Sequence, residues 1–541
     1  MSDAARTVHE ALVQAVARWP EHDFLYVTSA TAAAFGIEPG TTSYREMAGQ
    51  VNAAAQAYRS AGFGHGHRVG LMLENRPEFF VHWFALNSIG ASVVPLNADW
   101  RSAEIEYVVG HSELCHVLAI DDRLDLLRNA LRTTARPVGR CGLSSPAPKA
   151  PAAPAPFADR APDAQTECAL LYTSGTTGRP KGCILSNEYF LHAGRWYTGC
   201  GGLAAFTPGA ERLITPLPLV HMNAMSFSTM AMLVSGGCVV QLDRFHPGSW
   251  WDGVRESRAT ICHYLGVMPA MLLGHPADAR DRAHALRFGL GSGVAREQHA
   301  QFEQRFGLAL LEGWAMTETG AGAIVFGNHE PRHAGTNAFG RPEPWLAWRV
   351  VDDDGRDVPR DTPGEMLVRA AGANPRFGFF SGYLKDEAAT AEAWAEGWFH
   401  TGDLVRVDEA GNFYFVDRKK NIIRRSGENI AAVEVEGVLL AHPRVKTVGV
   451  APVPDPVRGD EVAAFVVTDT PVADEAALAA ELATLCRGRL AYYKAPGWLA
   501  FCSELPLTPT QKIQRAELKA MAREWHAQGR CHDLRALKGR R

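Results

Sequence analysis

Cysteine pairs at metal-binding or redox spacing are missing. Ten cysteines are scattered over 541 residues with no C-x-x-C and no metal-like Cys/His pattern. This argues against zinc ribbons and dithiol redox motifs, and free thiols in a reducing cytoplasm are expected. Excess positive charge is missing too: 55 Lys and Arg stand against 59 Asp and Glu, a net charge of −4. No general footprint for nucleic acid or an anionic membrane surface follows. Nor is there an unbroken apolar run long enough to cross a bilayer. The best candidate, "NAMSFSTMAMLVSGGCVV" at 223–240, is interrupted by Asn223, several serines and a glycine pair, and reads as a buried helix plus strand. No basic segment followed by an apolar core opens the chain, so a signal peptide is not expected. No internal repeat is found.

The length requires more than one core. Over the first 140 residues, helical patterns alternate with short apolar runs such as "HRVGLML" and "GASVVPLN", which predicts α/β layering. Residues 141–164 are rich in Pro and Ala and read as an exposed connection. "ECALLY" (167–172) reads as a buried strand, and "SNEYFLHAGRWY" as a helix capped near Ser186 or Asn187. "LRFGLGSG" reads as a strand and glycine turn, "VAREQHAQFEQRFG" as a helix closed by Gly307, and "LALLEGW" as a further strand. After about residue 420 the pattern becomes a small α/β unit: helix "AAVEVEGVLLAH", strands "VKTVGVAPV" and "DEVAAFVVT", helix "DEAALAAELATLCRGRL".

Between the predicted strand and helix stands "TSGTTGRPKG" (173–182). Its glycines let backbone N–H groups turn inward, its hydroxyls add donors, and Arg179 and Lys181 add charge, a combination suited to phosphate oxygens. It is not a Walker loop. That pattern, G-x-x-x-x-G-K-[ST], places a hydroxyl after the lysine, whereas Lys181 is followed by Gly182. The stretch resembles the phosphate loop of the adenylate-forming superfamily, which contains acyl-CoA synthetases, peptide-synthetase adenylation domains and beetle luciferases. Four further stretches resemble that family in order and spacing: "EGWAMTETG" (312–320), "GYLKDEAATAEAWAEGWFHTGDL" (382–404), "VDRKKNIIRRSGENIAAVEVE" (416–436) and "LPLTPTQKIQRAEL" (505–518). The resemblance covers roughly residues 5–525 and points to the acyl-CoA synthetase branch, with an overall look similar to crotonobetaine/carnitine-CoA ligases.

The resemblance implies an α/β fold with a large multi-subdomain N-terminal domain, residues 1–417, and a small mobile α+β C-terminal domain, 418–541. It implies ATP, Mg²⁺ and coenzyme A as cofactors and a small carboxylic acid as substrate. Thr173, Ser174, Gly175, Thr176, Thr177, Gly178 and Lys181 would hold the β- and γ-phosphates. Thr317 would contact the α-phosphate and Glu318 would help hold Mg²⁺. Trp314 stands where the family commonly has Tyr beside adenine. Glu312 and Gly313 belong to the same motif, and Gly291, Ser292 and Gly293 would form the other adenine wall. Asp403 and Arg418 would bind the ribose. Lys512 would bridge the acyl carboxylate and the α-phosphate, although Gln511 stands where Gly commonly precedes it. Lys420 would be the hinge, and Gly427 would leave room for the pantetheine arm. His221 would gate or position the acyl carboxylate.

The implied acyl pocket draws on His221, Met222, Asn223, Val267, Met268, Leu290, Trp314 and Ala315, mostly apolar with one amide. It suits a small or medium acid, aliphatic or with one polar group. Amino-acid-activating relatives place an Asp near residue 221, but residues 213–229 hold no acidic residue. That argues against an α-amino acid, and with no carrier segment read after the C-terminal domain a peptide-synthetase module is not expected either. CoA is the expected acceptor. A carrier protein loaded by a stand-alone enzyme, or a luciferase-like oxygenase, is the alternative. A monomer or a homodimer fits equally.

Overall fold

The computed structural model describes residues 4–100, 102–134, 137–146, 148, 157, 160–173, 180–425, 428–456, 458–508 and 512–538. These fall into two compact units. One runs through Trp348 and takes in Val368–Phe399; the other comprises Arg349–Leu367 and His400–Arg541.

The larger unit is built on two sheets. In the eight-stranded sheet the spatial order is Val325–Phe326, Ala309–Trp314, Phe288–Gly291, Ile261–His263, Arg212–Thr215, Cys238–Gln241, Asp23–Val27 and Gly40–Ser43. Its inner strands are parallel, and each edge strand is antiparallel. The seven-stranded sheet runs Gly382–Tyr383, Lys181–Ser186, Glu167–Thr173, Ser92–Pro95, Arg68–Met72, His116–Ala119 and Gly139–Gly142. Helices cover the parallel strands, so those strands are buried on both faces and read as continuous apolar runs, as in Ser92–Pro95 and His116–Ala119.

Several local expectations hold, while much of the connection expected at 141–164 lies outside the described residues. "ECALLY" lies in the strand Glu167–Thr173. The helix Asn187–Gly199 is capped by Ser186, whose side chain accepts from the Tyr189 N–H. The helix Arg296–Phe306 ends on Gly307 at φ 68°. The segment after residue 222 is a helix followed by the strand Cys238–Gln241, but its first turn, Asn223–Thr229, is a π-helix, which the sequence pattern did not foretell. No helix among the described residues is long and apolar enough to cross a membrane.

In the smaller unit the strands Phe399–Val407 and Phe413–Arg418 form an antiparallel pair. A second sheet pairs Val445–Asp455 with Gly459–Thr468, and the latter with Trp498–Phe501. Helices Ala432–Leu440 and Glu475–Arg489 pack on it through Val435, Leu439, Leu478 and Leu482. This is the α/β unit expected after residue 420.

Candidate active site

The antiparallel pair Glu167–Thr173 and Lys181–Ser186 sets Thr173 opposite Lys181. Ser174, Gly175, Thr176, Thr177 and Gly178 lie outside the described residues, so this part of the site is described by its two stems. Lys181 Nζ is 3.9 Å from the Asp386 carboxylate and lies 4.8 Å from the centre of the Tyr383 ring. Tyr383 reaches this place because Gly382–Tyr383 is the edge strand beside Lys181–Ser186, with Tyr383 opposite Cys183. Its hydroxyl donates to Glu318 Oε1 at 2.8 Å. Burial and the Glu318 charge raise the Tyr383 pKa, so it acts as a neutral donor. The Glu318 carbonyl accepts from Phe380 N at 2.9 Å, and Tyr189 Oη donates to the Thr317 carbonyl at 3.0 Å. The peptide around Thr317 and Glu318 is thus fixed from two sides.

A second group is organised by Glu312. The strand register sets Glu312 opposite Gly291. Its carboxylate accepts from Gly293 N at 2.8 Å, Val294 N at 3.2 Å and Tyr264 Oη at 3.1 Å. Burial raises its pKa, and the two backbone donors oppose that shift. Gly293 sits at φ +83°, a backbone conformation costly for other residues. A Cβ on Gly266 would lie 1.8 Å from the Gly293 carbonyl oxygen, so these two loops touch backbone to backbone. Ser292 is exposed, and Gly313 is half-buried. Trp314 is buried, its ring 6.5 Å from Phe339.

The residues assigned to an acyl pocket are spread over several elements. His221 is exposed, Met222 and Ala315 are half-buried, and Val267 is exposed. Met268 packs in the core with Tyr264 and Leu272. Asn223 and Leu290 are brought together through His263, which pairs with Leu290 in register and bonds Asn223 Oδ1 at 2.7 Å.

In the smaller unit Asp403 and Arg418 face each other across an antiparallel pair, and Arg418 Nε is 2.5 Å from Asp403 Oδ1. Asp403 is buried and its N–H donates to Thr401 Oγ1 at 3.0 Å. Lys512 lies on a hairpin: Thr508 N donates to its carbonyl, its own N–H donates to Thr508 Oγ1, and Leu507 bridges Ile513. The Lys512 side chain is solvent-exposed yet closely surrounded. Desolvation, with the Arg418 charge second, lowers its pKa. Arg418 therefore lies close to both Asp403 and the catalytic-lysine candidate. Lys420 lies in the short helical turn Lys419–Asn421. On one side Lys419 is 2.8 Å from Glu365, and on the other Asn421 donates to Asp417 at 3.3 Å. Gln511 and Gly427 lie outside the described residues.

Sequence reasoning missed Tyr383, Asp386 and Tyr264. The first two stand inside the stretch 382–404, but only strand pairing places them beside Lys181.

Thr173 and Lys181 thus face each other at the mouth of a strand pair, with the clamped Glu318 carboxylate joined to them through Tyr383. The chain belongs to the AMP-binding enzyme family, whose model matches residues 12–384, with the AMP-binding enzyme C-terminal domain matching 434–512. Within it, the chain is an AMP-forming acid–CoA ligase family enzyme. It is 31% identical over 494 residues to crotonobetaine/carnitine–CoA ligase of Shigella flexneri, covering 88% of this chain and 93% of that protein. The Salmonella paratyphi B enzyme of the same name is 30% identical over 492 residues, with the same coverage. ATP-bound MatB from Rhodopseudomonas palustris shares the fold with a TM-score of 0.79 at 24% identity, over 95% of this chain and 98% of that one. O-succinylbenzoate CoA synthetase of Bacillus subtilis, in complex with its acyl-adenylate, has a TM-score of 0.79 at 24% identity, over 94% and 97%.

Proposed function

We propose that the protein activates a carboxylic acid with ATP and transfers the acyl group to coenzyme A. The observation that carries this reading is the grouping of Lys181, Tyr383 and Glu318 at the stems of the phosphate stretch. In the first step a carboxylate oxygen attacks the α-phosphorus of ATP, the bond to the bridging oxygen breaks, and pyrophosphate leaves. In the second, a thiolate attacks the acyl carbon and AMP leaves. Charge accumulates on phosphate oxygens in the first step, so preplaced cations and donors are the main need.

Lys181 and the residues from Thr173 to Gly178 serve the β- and γ-phosphates in this reading, Thr317 serves the α-phosphate, and Glu318 serves Mg²⁺. Among the described residues no group of three or more His, Cys, Asp or Glu could hold a metal. A cation at Glu318 would complete its shell with phosphate oxygens and water, as Mg²⁺ commonly does. Gly291–Gly293 and Trp314 flank the adenine. Asp403 and Arg418 take the ribose hydroxyls. Lys512 neutralises charge at the reacting carboxylate and α-phosphate. The region from 418 onward pivots at Lys420 between the steps, and Gly427 admits the pantetheine arm. His221 positions the carboxylate.

The test is a panel of acids that includes crotonobetaine and carnitine, the acids in the relatives' names, with ATP and Mg²⁺. AMP and pyrophosphate are scored with and without CoA. Acid-dependent pyrophosphate release followed by CoA-dependent AMP release supports the reading. AMP release only with an acyl-carrier protein would replace CoA as acceptor, and oxygen uptake with light would replace the ligase reading.

A further inference from the structure

Behind the half-buried Asn223 lies a relay of neutral groups that the two-step chemistry does not use. His263, at the end of the strand Ile261–His263, is fully buried. Its Nε2 is 3.0 Å from Tyr197 Oη, and its Nδ1 is 2.7 Å from Asn223 Oδ1 and 2.9 Å from Ser228 Oγ. Burial lowers the His263 pKa to about 3, so the ring is neutral and carries one proton. Tyr197 is also fully buried, with its pKa raised by burial, and its hydroxyl has no other acceptor among the described residues. If Nε2 carried the proton, the Tyr197 O–H would be an orphaned buried donor, at a cost that native interiors avoid. Tyr197 therefore donates to Nε2, and the proton sits on Nδ1, where Asn223 Oδ1 is the nearer acceptor and Ser228 Oγ, itself a donor to the Asn223 carbonyl, the farther. The π-turn Asn223–Thr229 allows this: Ser228 reaches back to the Asn223 carbonyl at 3.4 Å, five residues earlier, which keeps Asn223 facing the imidazole.

The consequence lies at the other arm of the same planar amide. With Oδ1 fixed on His263, the Asn223 NH₂ group faces away from the ring, and it has no partner among the described residues. Tyr197 and His263 thus set the polarity of the one amide assigned to the acyl pocket and make its open side a donor. We infer that the acid taken by this enzyme carries an uncharged oxygen acceptor, a hydroxyl or keto oxygen on its acyl chain, which Asn223 binds through an amide N–H oriented by Tyr197 and His263. This rests on the acid-activating reading above. A second carboxylate is disfavoured, because a buried anion needs a cation and none of the residues assigned to the pocket is Lys or Arg. A plain alkyl chain would leave the NH₂ group half-buried and unpaired, and sites with such groups discriminate strongly against analogues that lack the matching atom.

The test pairs straight-chain acids of four to eight carbons with their hydroxy, keto and ω-carboxy counterparts. Pyrophosphate release gives kcat/KM, and calorimetry with AMP present gives affinity without turnover. The wild-type enzyme should favour a hydroxy or keto acid over its plain partner by about tenfold or more at one chain length, in both measurements. Asn223→Leu should bring that ratio close to one. Tyr197→Phe, which frees the imidazole to take the other tautomer, should lower the ratio through KM rather than kcat. Simple structural damage would lower both members of each pair alike and leave the ratio intact. A ratio near one for the wild type at every length, a ratio unchanged in Asn223→Leu, or a preference for the dicarboxylates would each overturn the inference. Calorimetric preference for oxygenated acids without pyrophosphate release from any acid would uphold the inference and sink the activation step instead.

Discussion

Glu318 in the larger unit and Lys512 in the smaller one are held by opposite means. Glu318 is 7% exposed, its carboxylate bonded to Tyr383 and its peptide pinned by Phe380. Lys512 is exposed on a hairpin arm, paired with Thr508 next to the bridge from Leu507 to Ile513. Asp403 is 1% exposed and lies mid-strand, so burial is not a property of one unit alone. The contrast follows the two-step reaction proposed here. Of the groups read as holding the nucleotide in both steps, Asp403 sits inside a strand, where shifting it would break ladder bonds, and Glu318 sits in a buried turn tied down by Tyr383 and Phe380. The group needed in one step sits on a hairpin that can travel as a piece, a placement suited to a hinged rearrangement.

The sharpest way to break this comparison is Lys512→Ala. Acyl-AMP formation should slow by roughly 10²- to 10³-fold, the scale of losing one preorganised electrostatic contact. Thioester formation from supplied acyl-AMP and CoA should survive. Rapid-quench assay of both half-reactions checks this, and equal losses would end the idea that Lys512 serves one step. Lys420→Pro should show the reverse pattern. Proline fixes φ near −65°, so a pivot at 420 would be trapped: acyl-AMP continues to form while thioester formation falls at least about tenfold. A wild-type thioester rate would place the pivot elsewhere.

Asp403→Ala tests a group expected to act throughout. Losing a hydrogen bond to a charged group costs about 1.5–3 kcal/mol, so AMP affinity by calorimetry should fall roughly ten- to a hundredfold. Unchanged affinity would remove the ribose role. Tyr383→Phe should be milder. It deletes one donor to Glu318, and kcat/KM for ATP-Mg²⁺ should drop about three- to tenfold with stability little changed. The smallest effect is in pH. Desolvation and Arg418 lower the Lys512 pKa from its ordinary value of 10.5. Its ammonium is therefore lost at a lower pH than that of a free lysine, and acyl-AMP formation should decline as pH rises through that lowered value. Lys512→Arg, which stays charged, should remove this alkaline limb even if its overall rate is lower, while thioester formation should show no limb from this group in either protein.

Much of this was legible in the residues because the signals are local. A strand buried on both faces needs a continuous apolar run, hence "ECALLY". A helix start needs a side-chain acceptor, hence Ser186, and a helix end in the left-handed region favours glycine, hence Gly307. The phosphate stretch stands out by composition, since donors, glycines and cations concentrated in one loop suit phosphate oxygens, whereas the segments around Glu318, Asp403 and Lys512 stand out only by their resemblance to a family. What did not show is whatever depends on partners distant in the chain. Tyr383 meets Lys181 and Glu318 only because a two-residue edge strand pairs with Lys181–Ser186. Tyr264, just past the strand Ile261–His263, reaches Glu312 two strands away, across Phe288–Gly291. The π-turn at Asn223–Thr229 is invisible to a helical pattern, because one extra residue per turn leaves the apolar content unchanged while rotating every side chain after it. Nothing in the sequence marks out His263. Its tautomer, and with it the direction in which Asn223 presents its amide, exists only once Tyr197 is packed against the other ring nitrogen: the sequence supplies both groups, but only burial removes water as a partner and leaves the Tyr197 proton no acceptor but the imidazole.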